Sequence, residues 1–206
     1  MNDDPKLQQL AQFTPEQELA PGYGSHFLFF VGRDDVHGIL MHLLTQEKLG
    51  LDINMFGFDD EELNQAILDR MASKSCAVQI TLDSSQAGGV HEAKILALDA
   101  MKDPPGYMNS FAIGQSATHQ ISHSKTGILV GQGIAFEGST NWSGSGEGTG
   151  ISLKSNVKNP SGFVAQNNTL VVSTSPPFIA RLQLQLRAEH QVAQLQMLAK
   201  AKKKAS

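Results

Sequence analysis

Apolar positions along this chain switch between two periods. The run "HFLFFVG" (26–32) is unbroken and closed by glycine, which predicts a buried strand. After it Val36, Ile39, Leu40, Leu43 and Leu44 stand at helical spacing, with Asp34 and Asp35 near the helix start. "LDINMFGF" (51–58) alternates as a strand does. "DDEELNQAILDRM" puts Leu63, Ala66, Ile67 and Met71 on one helical face, and "CAVQITLD" (76–83) is strand again. This order predicts an α/β fold: a mixed, largely parallel β-sheet flanked by helices on both faces. Further on, residues 90–101 read as helix, "DPPG" (103–106) as a loop, and 110–117, 119–130, 134–139 and 168–173 as strands. A last helix follows Pro176 and Pro177, with Phe178, Leu182 and Leu186 as its core stripe. "GSGEGTG" reads as a glycine-rich loop, and no internal repeat is present.

Within that pattern, "HSKTGILVGQGIAFEGSTNW" (123–142) holds most of the candidate chemistry. If "GQG" (131–133) closes a three-residue hairpin, His123 lies across from Asn141 and Lys125 across from Ser139. All four then project from one face, while Ile128, Val130, Ile134 and Phe136 project from the other into the core. His123 and Lys125 would stand roughly 6.5 Å apart at Cα, close enough to converge on one phosphate-sized group. A neutral imidazole is nucleophilic near neutral pH and can take a phosphoryl group and hand it to water. A lysine and an asparagine amide supply donors to the nonbridging oxygens, where charge accumulates in the transition state. Such a set needs neither metal nor cofactor.

Other chemistries fit less well. The serines at 139–145 do not form G-x-S-x-G, and "GSGEGTG" lacks the G-K-[ST] of a Walker loop. His119 and His123 share strand parity but have no carboxylate nearby on that strand to complete a metal site. His37 and His42 read as surface or supporting groups.

Composition sets the frame. With 206 residues and 40% hydrophobic content the chain suits one domain. Residues 1–22 are expected to be a flexible segment, 23–199 the domain, and 200–206 a basic tail. The single cysteine, Cys76, sits in an apolar run as a buried thiol, which leaves no intramolecular disulfide and no cysteine-based zinc site. The start, "MNDDPKLQQL", is unlike a secretory signal, and no run approaches the ~20 apolar residues of a membrane span, so a cytoplasmic location is expected unless export uses a signal-independent route. The formal net charge is −4, yet Arg181, Arg187, Lys200, Lys202, Lys203 and Lys204 face only Glu189 beyond residue 176. The lysine-rich end can touch phosphate backbones or simply be a solvated helix terminus. The acidic body argues against avid nonspecific binding to nucleic acid.

H-x-K followed by G-S-T-N resembles the catalytic motif of the phospholipase D superfamily, and the likeness extends over roughly residues 25–195. It implies the phospholipase D/nuclease-like fold, with His123 as nucleophile or its acid partner, Lys125 and Asn141 as phosphate ligands, and Ser139 as a supporting hydroxyl. It also brings Asn168, Gln166 and Glu147 to the substrate side. Two positions depart from the pattern. The motif aspartate falls at Val130, and the acidic residue before the last core strand falls at Asn167, so that Gln166 or Glu147 would have to substitute for it. One motif is present where the family's site uses two, and this implies a homodimer that completes the site. The function implied is a metal-independent phosphodiesterase, with nucleic acid, DNA or RNA, as the first substrate class. A phospholipase-type hydrolase of phospholipids and a non-catalytic phosphate-binding relative are the alternatives.

Overall fold

Most strands and helices form where the apolar period asks for them, although the 26–32 run, expected to be buried, is an edge strand with Leu28 and Phe30 exposed, and the computed structural model of the chain shows how they assemble. It describes residues 3–73, 75–87, 89–102, 104–116, 118–149 and 165–205. The strands are β1 (His26–Phe30), β2 (Gly50–Met55), β3 (Ala77–Asp83), β4 (Phe111–Gly114), β5 (Lys125–Leu129), β6 (Ile134–Gly138) and β7 (Thr169–Ser173). They form one seven-stranded sheet in the order β1-β7-β6-β5-β2-β3-β4. Pairing is parallel for β2 with β3 and β3 with β4, and antiparallel for β1 with β7, β7 with β6, β6 with β5 and β5 with β2. Five of the seven strands therefore point the same way, although most hydrogen-bonded neighbours are antiparallel. β1 and β2, consecutive in sequence, are not neighbours, because β1 crosses to the far edge to meet β7.

Local chemistry starts the helices where expected. The Asp35 carboxylate caps α2 (Val36–Gln46) by accepting from the Gly38 N–H, and the Asp60 carboxylate caps α3 (Glu61–Ala72) by accepting from Leu63. Val36, Ile39, Leu40, Leu43 and Leu44 are all fully buried, as are Leu63 and Ile67. α4 (Val90–Lys102) and α5 (Pro104–Ser110) follow, so most of the predicted "DPPG" loop is the first turn of a helix. Proline is tolerated there because the first turn needs no N–H donor.

Three further expectations change. Residues 3–22 are not loose: α1 (Pro5–Gln8) and a 3-10 turn over Gln9–Phe13 bury Leu7 and Leu10 completely. "GSGEGTG" contains a short helix, α6 (Gly144–Glu147), started by the Ser143 hydroxyl accepting from Gly146. The long strand expected over 119–130 begins only at Lys125, since His119, at φ 58°, lies in a turn. The last helix, α7 (Pro176–Ala205), runs across β4, β3, β2 and β5. Leu186, with Phe178 and Leu182, forms the predicted stripe, and it packs on Ile128 and Ala135. Further along, the helix faces polar sheet residues: Thr81 Oγ1 is 3.0 Å from His190 Nδ1, and Gln183 donates to Asp52 at 3.3 Å. Among the described residues no helix is long and apolar enough to cross a membrane.

Candidate active site

The segment joining β2 to α3, Phe56 to Asp60, is where the candidate groups meet. β5 pairs antiparallel with β2 so that Lys125 stands opposite Met55, and the Phe56 N–H donates to Ser124 O at 3.0 Å. The His123 ring lies 4.3 Å from the Phe56 ring, and Lys125 Nζ sits 4.7 Å above the same ring. On the other flank, Trp142 N donates to Gly57 O at 2.9 Å, and the Asp59 and Asp60 N–H groups donate to Trp142 O at 2.8 and 3.0 Å. The Asn141 side chain packs directly on Gly57: a Cβ added there would stand 3.0 Å from Asn141 Cγ. His123, Lys125 and Asn141 thus converge on residues 56 and 57.

Their environments differ. His123 is exposed, whereas Lys125 is only 3% exposed and its ammonium donates to His123 O at 2.7 Å. Burial pushes the Lys125 pKa down to about 8. No carboxylate pairs with Lys125 among the described residues. Asn141 Oδ1 is buried without a hydrogen-bond partner. The residue before His123 is pinned: Asp83 Oδ2 accepts from the Ser122 N–H at 2.7 Å, and Asn54 Nδ2 lies 3.2 Å from Ser122 Oγ. Asp83 and Asn54 position the histidine's backbone, and sequence reading missed both. An aspartate ending a strand gives no signal of which loop it will hold.

The hairpin register is not the expected one. Leu129 pairs with Ile134 and Thr126 with Glu137, so the connection has four residues and the opposition shifts by one. Ile128 and Ala135 face α7, while Leu129, Ile134 and Phe136 face the main core, and Val130 is 41% exposed. The division into one chemical and one structural face does not hold, because helices cover both faces; the chemistry lies at the strand ends instead.

Ser139, Asn168 and Gln166 form a network of their own. Ser139 Oγ donates to Asn168 Oδ1 at 3.1 Å and accepts from Thr169 N at 3.0 Å. Asn168 Nδ2 donates to Gly146 O at 2.8 Å and to Gln166 Oε1 at 3.1 Å. The network ties the start of β7 to α6, and so supports the segment that carries Asn141.

Glu147 meets a different partner from the expected one. It is fully buried, and its Oε2 lies 3.2 Å from His37 Nδ1, with Asp60 Oδ2 at 4.0 Å from that nitrogen and Glu62 Oε2 at 3.0 Å from Nε2. Burial works against protonating His37, but Glu147, Glu62 and Asp60 draw its pKa up to about 9. His37 is therefore no surface group. His42 lies against Phe13, its Nε2 buried without a partner. Residues 37, 60 and 147 are too far apart in sequence for any local pattern to join them.

At the other end of the hairpin, the Val130 N–H donates to Gly50 O at 2.9 Å. The carboxylate of Glu47 organises the loop there, accepting from Gly131 N at 2.9 Å and Gln132 N at 3.2 Å.

No family model matches the chain, and no curated protein does. Solved structures do. The fold is that of the phospholipase D superfamily. The chain resembles NucT from Helicobacter pylori at 17% identity and TM-score 0.57, over 81% of this chain and 95% of that one. It resembles Nuc, a phospholipase D family member from Salmonella typhimurium, at 13% identity and TM-score 0.53, over 80% and 93%. The phosphatidylserine synthase of Haemophilus influenzae Rd KW20 is similar at 11% identity and TM-score 0.54, over 85% of this chain and 38% of that one.

Proposed function

We propose that this chain is a phosphodiesterase that cleaves nucleic acid through a covalent phosphohistidine, with His123 as nucleophile. The observation that carries the reading is the convergence of His123, Lys125 and Asn141 on Phe56 and Gly57, with a buried ammonium that no carboxylate among the described residues neutralises. A buried cation without a counterion calls for an anion, and a phosphate diester supplies one. Lys125 and the Asn141 amide hold nonbridging oxygens while the His123 imidazole attacks phosphorus. The P–O bond to the leaving oxygen breaks, and that oxygen needs a proton. One histidine cannot be nucleophile and acid at once, so a second copy supplies its own His123, first as acid and then as the base that activates water against the phosphohistidine. Nothing in these steps requires a metal at phosphorus. Ser139, Asn168 and Gln166 hold the segment carrying Asn141 rather than the reacting atoms. The exposed lysines Lys200, Lys202 and Lys203 at the end of α7 favour a phosphate polymer over a lipid.

The test is cleavage of plasmid DNA, RNA and phosphatidylcholine vesicles in EDTA, comparing the parent with His123→Ala and Lys125→Ala. Nucleic acid should be cut by the parent alone, with turnover per folded molecule unaltered by chelation. Acid-labile, base-stable label should appear on the protein when the reaction is quenched. A monomer by sedimentation that still turns over, activity that persists without His123, or cleavage confined to the lipid would overturn the reading.

A further inference from the structure

The cluster around His37 serves none of the steps above. His37 Nδ1, Asp60 Oδ2 and Glu147 Oε2 come from the first turn of α2, the N-cap of α3 and the end of α6, and their ligating atoms all lie within 4.8 Å of one another. Glu147 Oε1 is buried without a hydrogen-bond partner, and Oε2 has the His37 Nδ1 contact at 3.2 Å. A buried carboxylate left in that state is costly, and here it points at two further charged groups. Asp60 completes its capping duty with Oδ1, which accepts from Leu63 N at 2.8 Å, and turns Oδ2 toward His37.

We propose that His37, Asp60 and Glu147 bind one divalent transition-metal cation of the zinc or manganese type, which fastens the segment carrying Asn141 to the starts of α2 and α3. The donor set, one imidazole nitrogen with two carboxylate oxygens, suits such a cation. Bonds of ~2.0–2.2 Å place tetrahedral donors roughly 3.3–3.6 Å apart. The observed separations from Nδ1, 3.2 Å to Glu147 and 4.0 Å to Asp60, need shifts of well under an ångström. The imidazole is oriented for it. Nε2 lies 3.0 Å from Glu62 Oε2 and can keep its proton on that carboxylate, so the proton a cation would displace is the one on Nδ1, which faces the other two. A carboxylate behind a ligating histidine is the usual way to fix its tautomer. The Thr149 hydroxyl, 3.4 Å from Nδ1, places one more oxygen at the cluster. Burial pushes the Glu147 carboxyl itself up to about 8, with Asp60 adding to the rise and His37 opposing it, so a dication would take the place of that proton. The side chains are 13%, 8% and 0% exposed for His37, Asp60 and Glu147, so the site is closed and its role structural.

The inference goes beyond the phosphoryl-transfer reading, and its readouts are metal uptake and thermal midpoint rather than cleavage. The full chain, stripped with chelator and dialysed, is titrated with Zn(II) and with Mn(II), and metal content is measured by mass spectrometry under native conditions. One equivalent should bind, and saturation at about 100 times Kd should raise the midpoint by roughly 5–10 °C. Glu147→Gln should bind at least 100-fold more weakly and lose the rise. If that variant does not fold, Glu62→Gln decides: it keeps all three ligands, loses the orienting carboxylate, and should weaken binding ~10- to 100-fold. Failure of either metal to bind the parent stoichiometrically overturns the proposal, because the cluster is then held by an imidazolium proton. A midpoint rise that is the same in the parent and in the folded variant overturns it too.

Discussion

The two ends of the β5–β6 hairpin bury polar groups in opposite ways. At the closed end Glu47 is fully buried, yet its Oε1 accepts from the N–H groups of Lys48, Leu49, Gly50 and Gly131, and its Oε2 from Gln132. Burial alone would raise its pKa, but the backbone donors of Gly50, Leu49, Gly131 and Gln132 together hold it below the usual value. At the open end Lys125 is as deeply placed, donates to one carbonyl and one aromatic face, and has its pKa pushed down by burial alone. Asn141 Oδ1 beside it is unsatisfied. A charged group buried with all its bonds made is scaffold, whereas a buried ammonium with donors to spare has room for an anion.

That contrast is sharpened most by Asn141→Asp. It replaces a donor with a charge that repels phosphate, so turnover should fall about 10²- to 10³-fold, with Asn141→Ala milder and thermal melting near the parent for both. Glu47→Ala should do the reverse. It strands several buried N–H donors, and denaturant unfolding should show a loss of about 3 kcal/mol while turnover per folded molecule holds. Glu47→Gln should lose less. Lys125→Met should separate the two properties in one variant: cleavage disappears, yet stability at pH 7 rises by ~1–3 kcal/mol, because a buried unpaired ammonium is replaced by an apolar chain of similar length.

The smallest effect belongs to Glu92, whose carboxylate accepts from the Phe58 N–H next to the site. Burial raises its pKa to about 7 against the opposing pull of that bond, with Asp59 and Asp83 adding to the rise. A carboxyl raised in the folded state binds its proton more tightly there than in the unfolded chain. Stability is therefore lost as pH climbs from about 4.5 to about 7 and is level above that. Glu92→Gln should flatten that slope and raise the melting point at pH 8 by a few degrees. Melting curves across pH 5–8 for both proteins check it.

Much of this was legible beforehand. The apolar stripes of α2, α3 and the first turns of α7 lie where the spacing put them, because each is a local property of ten or so residues. The H-x-K and G-S-T-N groups stand out because both lie within one short stretch, yet Ser139 joins Asn168 and Thr169 rather than the groups around Phe56. What the sequence concealed is long-range. The register of β5 against β6 turned on one residue of loop length, which no residue type at 130–133 settles. The pairing of His37 with Glu147 depends on the start of α2 meeting the end of α6, and Asp83 reaches Ser122 only once β3 and β5 flank β2. Gln183 and Gln196 of α7 bond to Asp52 and Gln115, contacts that no spacing along the helix discloses.

The pairing of β1 with β7 has a consequence for synthesis. His26 to Phe30 find their ladder partners only in Thr169 to Ser173, so about 140 residues must leave the ribosome before that edge is closed. At the usual ~5–20 residues per second, a strand of four aromatic or leucine side chains waits roughly 7–28 s with its backbone donors unpaired. A chaperone that protects extended apolar segments has its natural docking point there, and strains lacking such a chaperone should accumulate this chain as aggregate before any loss of intrinsic stability would explain it.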